Sequence, residues 1–256
     1  MSRRIILPLG MVLLIIASCS QKKESSEQAQ EAKEHESWGY MGNVGPENWA
    51  AIQGEYAPCR DGQHQSPVNI LSGGINAKHN LDFDYHASQE VILNNGHTVE
   101  LLFEGGSFIN FDEDIYQLLQ FHFHTPSEHL VDEQHFPLEM HLVHRSMDTT
   151  YLVIGMMFEK GEANEFLDKF IKDAPKTVQE KSLQKQIDVM DLHPDTTGYY
   201  YYMGSFTTPP CTEGVRWLVK KNPLTASEDQ IALIAGIEGE NFRPDQELNG
   251  RQVEEF

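Results

Sequence analysis

His122 and His124 flank a single phenylalanine in "QFHFHTPSEH", and a carboxylate, Glu128, follows four residues after the second. Imidazole is a common ligand for zinc, and a pair of imidazoles two residues apart can act together only if they share a face. A β-strand supplies that face, because residues i and i+2 point the same way. His122 and His124 then project together with Gln120, while Phe121 and Phe123 turn to apolar packing. In "EMHLVH", Glu139, His141 and Val143 share one face, and Met140, Leu142 and His144 take the other. If the two strands are neighbours, His141 converges on His122 and His124. Three neutral imidazoles without a fourth protein ligand make an open zinc site, the catalytic kind. Ligating imidazoles usually give their second N–H to an acceptor. Gln120 and Glu139, each two residues before a histidine, stand where such acceptors belong. Paired histidines on a strand also suit half-buried polar packing; Glu139 beside His141 tips the balance to metal.

These side chains need strands to hold them. "EVILNNGHTVELLF" alternates around Asn95-Gly96, a strong turn signal. "IYQLLQFHFH", "LEMHLVHRS", "YLVIGMMF" and "VRWLVKK" suit strands of a large sheet. Helical spacing is best in "EANEFLDKFIKDAP" and "SLQKQIDVM", and weaker in "SEDQIALIAGI". The expected fold is therefore mainly β, a single domain with a few peripheral helices, and no repeat is evident.

The formal net charge of −20, from 39 acidic and 19 basic residues, disfavours polyanions, so nucleic acid is excluded as a partner. At the amino terminus, Arg3 and Arg4 precede the apolar run "IILPLGMVLLII" and the small residues Ala17 and Ser18. That is a signal peptide over residues 1–18, too short to span a bilayer as a helix. "IASC" is similar to a bacterial lipobox, with Cys19 as the lipidated residue. Residues 19–36 read as a polar, flexible tether to a domain over residues 37–256. An exported, lipid-anchored protein in the periplasm or cell envelope is expected, with a membrane as its partner through the anchor. Cys59 and Cys211 remain and invite one disulfide, two buried free thiols being the alternative. Closing so long a loop contributes about 4–5 kcal/mol in the chain-entropy model.

The ordered series "WGY" (38–40), "GPENW" (45–49), "QSPVNI" (65–70), "NNGH" (94–97), "QFHFHTPSEH", "EMHLVH", "GSFTTPPCTEGVRWLV" and "NFRP" (241–244) resembles the α-class carbonic anhydrases across residues 37–256. The resemblance implies a mostly antiparallel twisted sheet and a zinc enzyme interconverting carbon dioxide and bicarbonate through a zinc-bound hydroxide. It implies zinc ligands His122, His124 and His141, supported by Gln120, Glu139 and Asn241. Thr207 is expected to orient the nucleophile and to donate to Glu128, since an ionised carboxylate only accepts. His97 matches the proton shuttle, with Tyr40 and Asn95 along its water path. The substrate pocket is expected at Val143, Val153, Phe206, Thr208, Val215 and Trp217, and Cys59 and Cys211 match the disulfide of exported members. Two positions depart from the pattern: Phe206 stands where leucine is usual, and Glu100 where an uncharged residue is common. A homodimer is among the expected partners. A non-catalytic binding protein or a zinc carrier are the competing classes, and no "GxSxG" suggests a serine hydrolase.

Overall fold

The computed structural model describes residues 38–256; the expected signal peptide, Cys19 and tether lie outside the described residues. The first strands are β1 (Asn69–Ile70), β2 (Ile75–Asn76), β3 (Leu81–Asp84), β4 (Ser88–Asn94), β5 (Val99–Leu102), β6 (Phe108–Phe111), β7 (Asp114–His124) and β8 (Leu130–Val131). They continue as β9 (Leu138–Ser146), β10 (Tyr151–Lys160), β11 (Gln179–Ile187), β12 (Tyr199–Ser205), β13 (Glu213–Lys220), β14 (Leu224–Ala226) and β15 (Glu254–Glu255). Helices are few among the described residues: α1 (Trp49–Ile52), α2 (Pro58–Asp61), α3 (Glu228–Glu238) and short 3₁₀ turns.

Thirteen strands form one sheet in the order β11-β4-β5-β7-β9-β10-β13-β12-β15-β2, with β3, β6 and β14 attached beside it. Most ladders are antiparallel; β10 with β13, β10 with β14, and β15 with β2 are parallel. β9 and β10 lie in the middle and are buried on both faces, which is why they read as nearly unbroken apolar runs.

The two faces carry separate apolar clusters. Leu118, Phe121, Phe123, Met140, Leu142, Leu152, Ile154 and Leu218 belong to the larger one. Val143, Val153, Val215 and Trp217 belong to the other. A β-bulge in β7 decides which residues go where. Leu118 pairs with His144 and Gln120 with Val143, so Leu119 is an extra residue. Before the bulge Tyr116 and Leu118 face the larger cluster; after it Phe121 and Phe123 do. Without that shift in parity, His122 and His124 would follow Tyr116 and Leu118 onto the apolar side.

Two helical expectations fail. "SLQKQIDVM" is mostly edge strand β11, paired with β4 on one side. Its buried residues, Leu183 and Ile187, are four apart, a spacing that fits one face of a helix and one face of a strand equally. A register shift between Ser182 and Gln186 leaves Lys185 exposed between them. "EANEFLDKFIKDAP" forms two 3₁₀ turns, Leu167–Lys169 and Ile171–Asp173, because Phe170 at φ −139° interrupts the helical path. The third expectation holds as α3, started by a Ser227–Gln230 capping box.

Candidate metal centre

β7 and β9 pair directly, with His122 opposite His141 and His124 opposite Glu139. One ligand atom from each of His122, His124 and His141 lies within 4.8 Å of the others. The remaining ring nitrogens are engaged. His122 Nδ1 meets Gln120 Oε1 at 2.8 Å, His124 Nδ1 meets the Asn241 carbonyl oxygen at 2.7 Å, and His141 Nε2 meets Glu139 Oε1 at 2.8 Å. Since these partners only accept, each ring donates there and keeps a lone pair on its other nitrogen. Those nitrogens are His122 Nε2, His124 Nε2 and His141 Nδ1. His124 Nε2 is buried without a hydrogen-bond partner.

The electrostatics favour the same donor set. Burial holds the His122 imidazole well below its ordinary range, brings His124 down to about 4 and lowers His141. All three are therefore neutral at pH 7, as metal ligation requires. The Glu139 carboxylate is held well below the usual range: burial opposes its charge, and His129 and His141 outweigh it. Its Oε2 accepts the backbone N–H of Glu128 at 2.8 Å and of His129 at 2.9 Å. Gly155 makes room for this group, since a Cβ there would stand 2.8 Å from Glu139 Oε1. Three neutral imidazoles and an orphaned buried lone pair fit a zinc ion with an open coordination position.

Glu128 is fully buried, with Oε2 at 3.5 Å from His124 Nε2 and 3.9 Å from His141 Nδ1. Its Oε1 accepts the Arg243 backbone N–H at 2.8 Å. Burial pushes this carboxyl up to about 7, while His141, the Thr207 hydroxyl and the Arg243 N–H favour the ionised form. Glu128 Oε2 is buried without a hydrogen-bond partner, on the side of the carboxyl that faces His124 and His141. The loop carrying Thr207 and Thr208 is tied down at several points. Cys211 bonds Cys59, its N–H donates to Thr208 O, and Gln65 Nε2 donates to Cys211 O at 3.1 Å.

Of the expected pocket residues, Val143, Val153, Val215 and Trp217 fall in one cluster, with Phe206 packed against it and edge-on to Tyr151 at 4.8 Å. Trp217 stands 4.8 Å from the His141 ring. His97 lies in the turn before β5 and stacks on Trp38 at 3.8 Å, with Tyr40 at 6.5 Å. Burial lowers the His97 imidazole from its ordinary value. Asn95 Oδ1 accepts the backbone N–H groups of His97 and Thr98, and Asn95 Nδ2 donates to Glu100 at 3.2 Å. Tyr40 is raised well above a free phenol by burial and by the carboxyls of Glu128 and Glu238.

Three supports were not found from sequence. Arg243 supplies a backbone donor to Glu128, while its buried guanidinium donates to Gln65 Oε1, Ser66 O and Cys59 O. His129 bridges Glu139 at 2.8 Å and the Tyr202 hydroxyl at 2.7 Å. Tyr202 in turn donates to Ser66 Oγ at 2.9 Å. Glu238, at the end of α3, contacts the start of β5. His129 stands beside Glu128, and Arg243 lies within the "NFRP" motif, so both carried a sequence signal; Glu238 carried none.

A family model for eukaryotic-type carbonic anhydrases matches residues 44–256. A carbonic anhydrase of Pectobacterium carotovorum is 39% identical over 219 residues, covering 84% of this chain and 89% of that protein. One from Neisseria gonorrhoeae is 38% identical over 224 residues, covering 86% and 88%. The solved α-carbonic anhydrase of Thermovibrio ammonificans, in complex with the inhibitor sulfanilamide, is similar with a TM-score of 0.83 and 38% identity. It covers 86% of this chain and 99% of its own.

Proposed function

The chain belongs to the eukaryotic-type carbonic anhydrase family, and from that premise we propose how its residues divide the work of hydrating carbon dioxide reversibly to bicarbonate and a proton. His122, His124 and His141 hold the zinc, with Gln120, the Asn241 carbonyl and Glu139 fixing the rings. Zinc bound there supplies a nucleophile at neutral pH by lowering the pKa of a water to about 7, a value that belongs to carbonic anhydrases as a class.

In its ionised form Glu128 only accepts, so a Thr207 hydroxyl that donates to it is left to accept from the attacking group and fix its direction. Val143, Val153, Val215 and Trp217 form an apolar wall that suits an uncharged, weakly polar gas and excludes competing water. Thr208 stands beside Thr207 at the pocket, and Phe206 with Tyr151 narrows its mouth. His97 takes the proton outward; with its pKa lowered by burial, its neutral, accepting form predominates at pH 7. Tyr40 and Asn95 line that path.

The Cys59–Cys211 disulfide suits an oxidising compartment outside the cytosol. Lipidation of Cys19 would hold the catalytic domain at a membrane surface, on the far side of a polar tether. Mass spectrometry of the membrane fraction before and after Cys19→Ala tests that part: a lipid adduct lost in the variant is expected, and an unmodified soluble chain excludes it.

The observation that carries the catalytic reading is the set of three imidazoles whose outward nitrogens are all bonded and whose inward nitrogens converge. Stopped-flow carbon dioxide hydration by the zinc-loaded protein is the test, repeated after chelation and after zinc return. Fast turnover that vanishes and returns is expected. A folded, stoichiometrically zinc-loaded protein without hydration activity would refute the reading.

A further inference from the structure

Glu238 is the last residue of α3 and has two physical reasons not to be a carboxylate. The C-terminal end of a helix carries partial negative charge, which favours cations. Burial also pushes this carboxyl up to about 8 against the pull of its hydrogen-bond donors. Its bonds explain its presence. Glu238 Oε1 accepts the Val99 backbone N–H at 2.7 Å and the Thr98 hydroxyl at 2.9 Å. Val99 is the first residue of β5 and only 3% exposed, so its N–H needs a protein acceptor. Both contacts lie immediately after His97.

The neighbouring groups cannot do this work. Asn241 Nδ2 has two hydrogens, and its shorter bonds go to Phe123 O at 2.9 Å and His97 O at 3.1 Å; Glu238 Oε2 is third at 3.3 Å. The Asn241 carbonyl meanwhile holds the His124 ring. Asn241 therefore ties the carbonyl of His97 to the ligand strand, and Glu238 ties the two residues that follow His97 to α3.

We propose that Glu238 is a positioning residue for the proton-transfer step, its Oε1 fixing Thr98 and Val99 and so the turn that presents His97. This rests on His97 as the proton carrier. The hydrogen bonds of Glu238 among the described residues go to Thr98, Val99 and Asn241; none reaches a metal ligand directly, and the one to Asn241, whose backbone carbonyl holds the His124 ring, is the longest at 3.3 Å. Its loss therefore acts on proton export and spares attack on carbon dioxide.

The test uses zinc-loaded Glu238→Ala, Glu238→Gln, Thr98→Val and His97→Ala proteins in stopped-flow hydration at low buffer. The Glu238→Ala protein is expected to lose about tenfold in kcat while kcat/KM stays within about twofold, the cost of a misplaced group in one step only. Added imidazole restores the rate, and Glu238→Gln, which keeps the acceptor oxygen, retains most of it. Thr98→Val keeps the side-chain shape but also removes the hydroxyl's contacts with Phe123 O and N–H, between His122 and His124, so its zinc content is measured alongside; at one equivalent of zinc it shows the same split should Glu238→Ala fold poorly. Parallel falls in kcat and kcat/KM, or an unchanged kcat in both Glu238→Ala and Thr98→Val, overturn the proposal. A kcat loss in His97→Ala without one in the other two sinks this proposal alone. An unchanged kcat in His97→Ala sinks the carrier assignment with it.

Discussion

His141 and His144 lie three residues apart on β9, both fully buried, on opposite faces of the central sheet. On the larger apolar side, His144 Nε2 meets the Tyr85 hydroxyl at 2.8 Å and Nδ1 approaches Leu152 O at 3.3 Å. Both of its ring nitrogens are occupied. On the other side, His141 gives Nε2 to Glu139 and turns Nδ1 toward His122, His124 and Glu128. Burial depresses both rings, His144 to about 3. Burial and a lowered pKa therefore do not mark a ligand. The mark is a nitrogen left open by a neighbour that occupies the other one.

The comparison breaks first at His141. His141→Ala is expected to lose zinc and abolish hydration, whereas His144→Gln keeps zinc at one equivalent and loses stability instead; metal content and activity on the same samples decide it. Equal zinc loss in both variants would erase the distinction between the faces.

A second effect belongs to the apolar face. Below the unfolded-state pKa of about 6.5, unfolded His144 binds a proton that the folded ring refuses, so stability falls as pH drops from there toward 3. The loss amounts to about 3 kcal/mol by pH 4. Urea midpoints of the zinc-loaded protein between pH 7 and 4 should show it, with a flatter profile in His144→Gln. A superimposable profile would mean that other groups dominate.

Smaller effects sharpen the metal face. Thr207→Ala is expected to cost about 100-fold in kcat/KM without loss of zinc, because only the direction of attack is lost. Gly155→Ala drives a methyl group against Glu139 Oε1 and should weaken zinc binding by about tenfold through the displaced carboxylate, read by competition with a chelator. Unchanged affinity would show that Glu139 can shift without releasing His141.

The metal centre was legible because strand alternation alone places His122 with His124 and Glu139 with His141. The order of separated motifs identified the family that supplies the roles of Thr207, Glu128 and His97. Short-range pattern failed at β11, where Leu183 and Ile187 carry a spacing common to helix and strand, and edge pairing with β4 decided between them. It also missed the roles of Glu238 and Arg243, whose bonds to Val99 and Glu128 each span more than 100 residues of the chain.

What the sequence determined by itself was the donor inventory and its local spacing: three imidazoles, their acceptors, an apolar wall and two cysteines. The tertiary structure decided which face those donors occupy. Uniform alternation from Tyr116 would have sent His122 and His124 to the apolar side, and the extra residue at Leu119 reverses the parity. Alternation is a property of each strand, but register belongs to the pair. Only the packing of β7 against β9 could place a bulge there and bring the two histidine faces together.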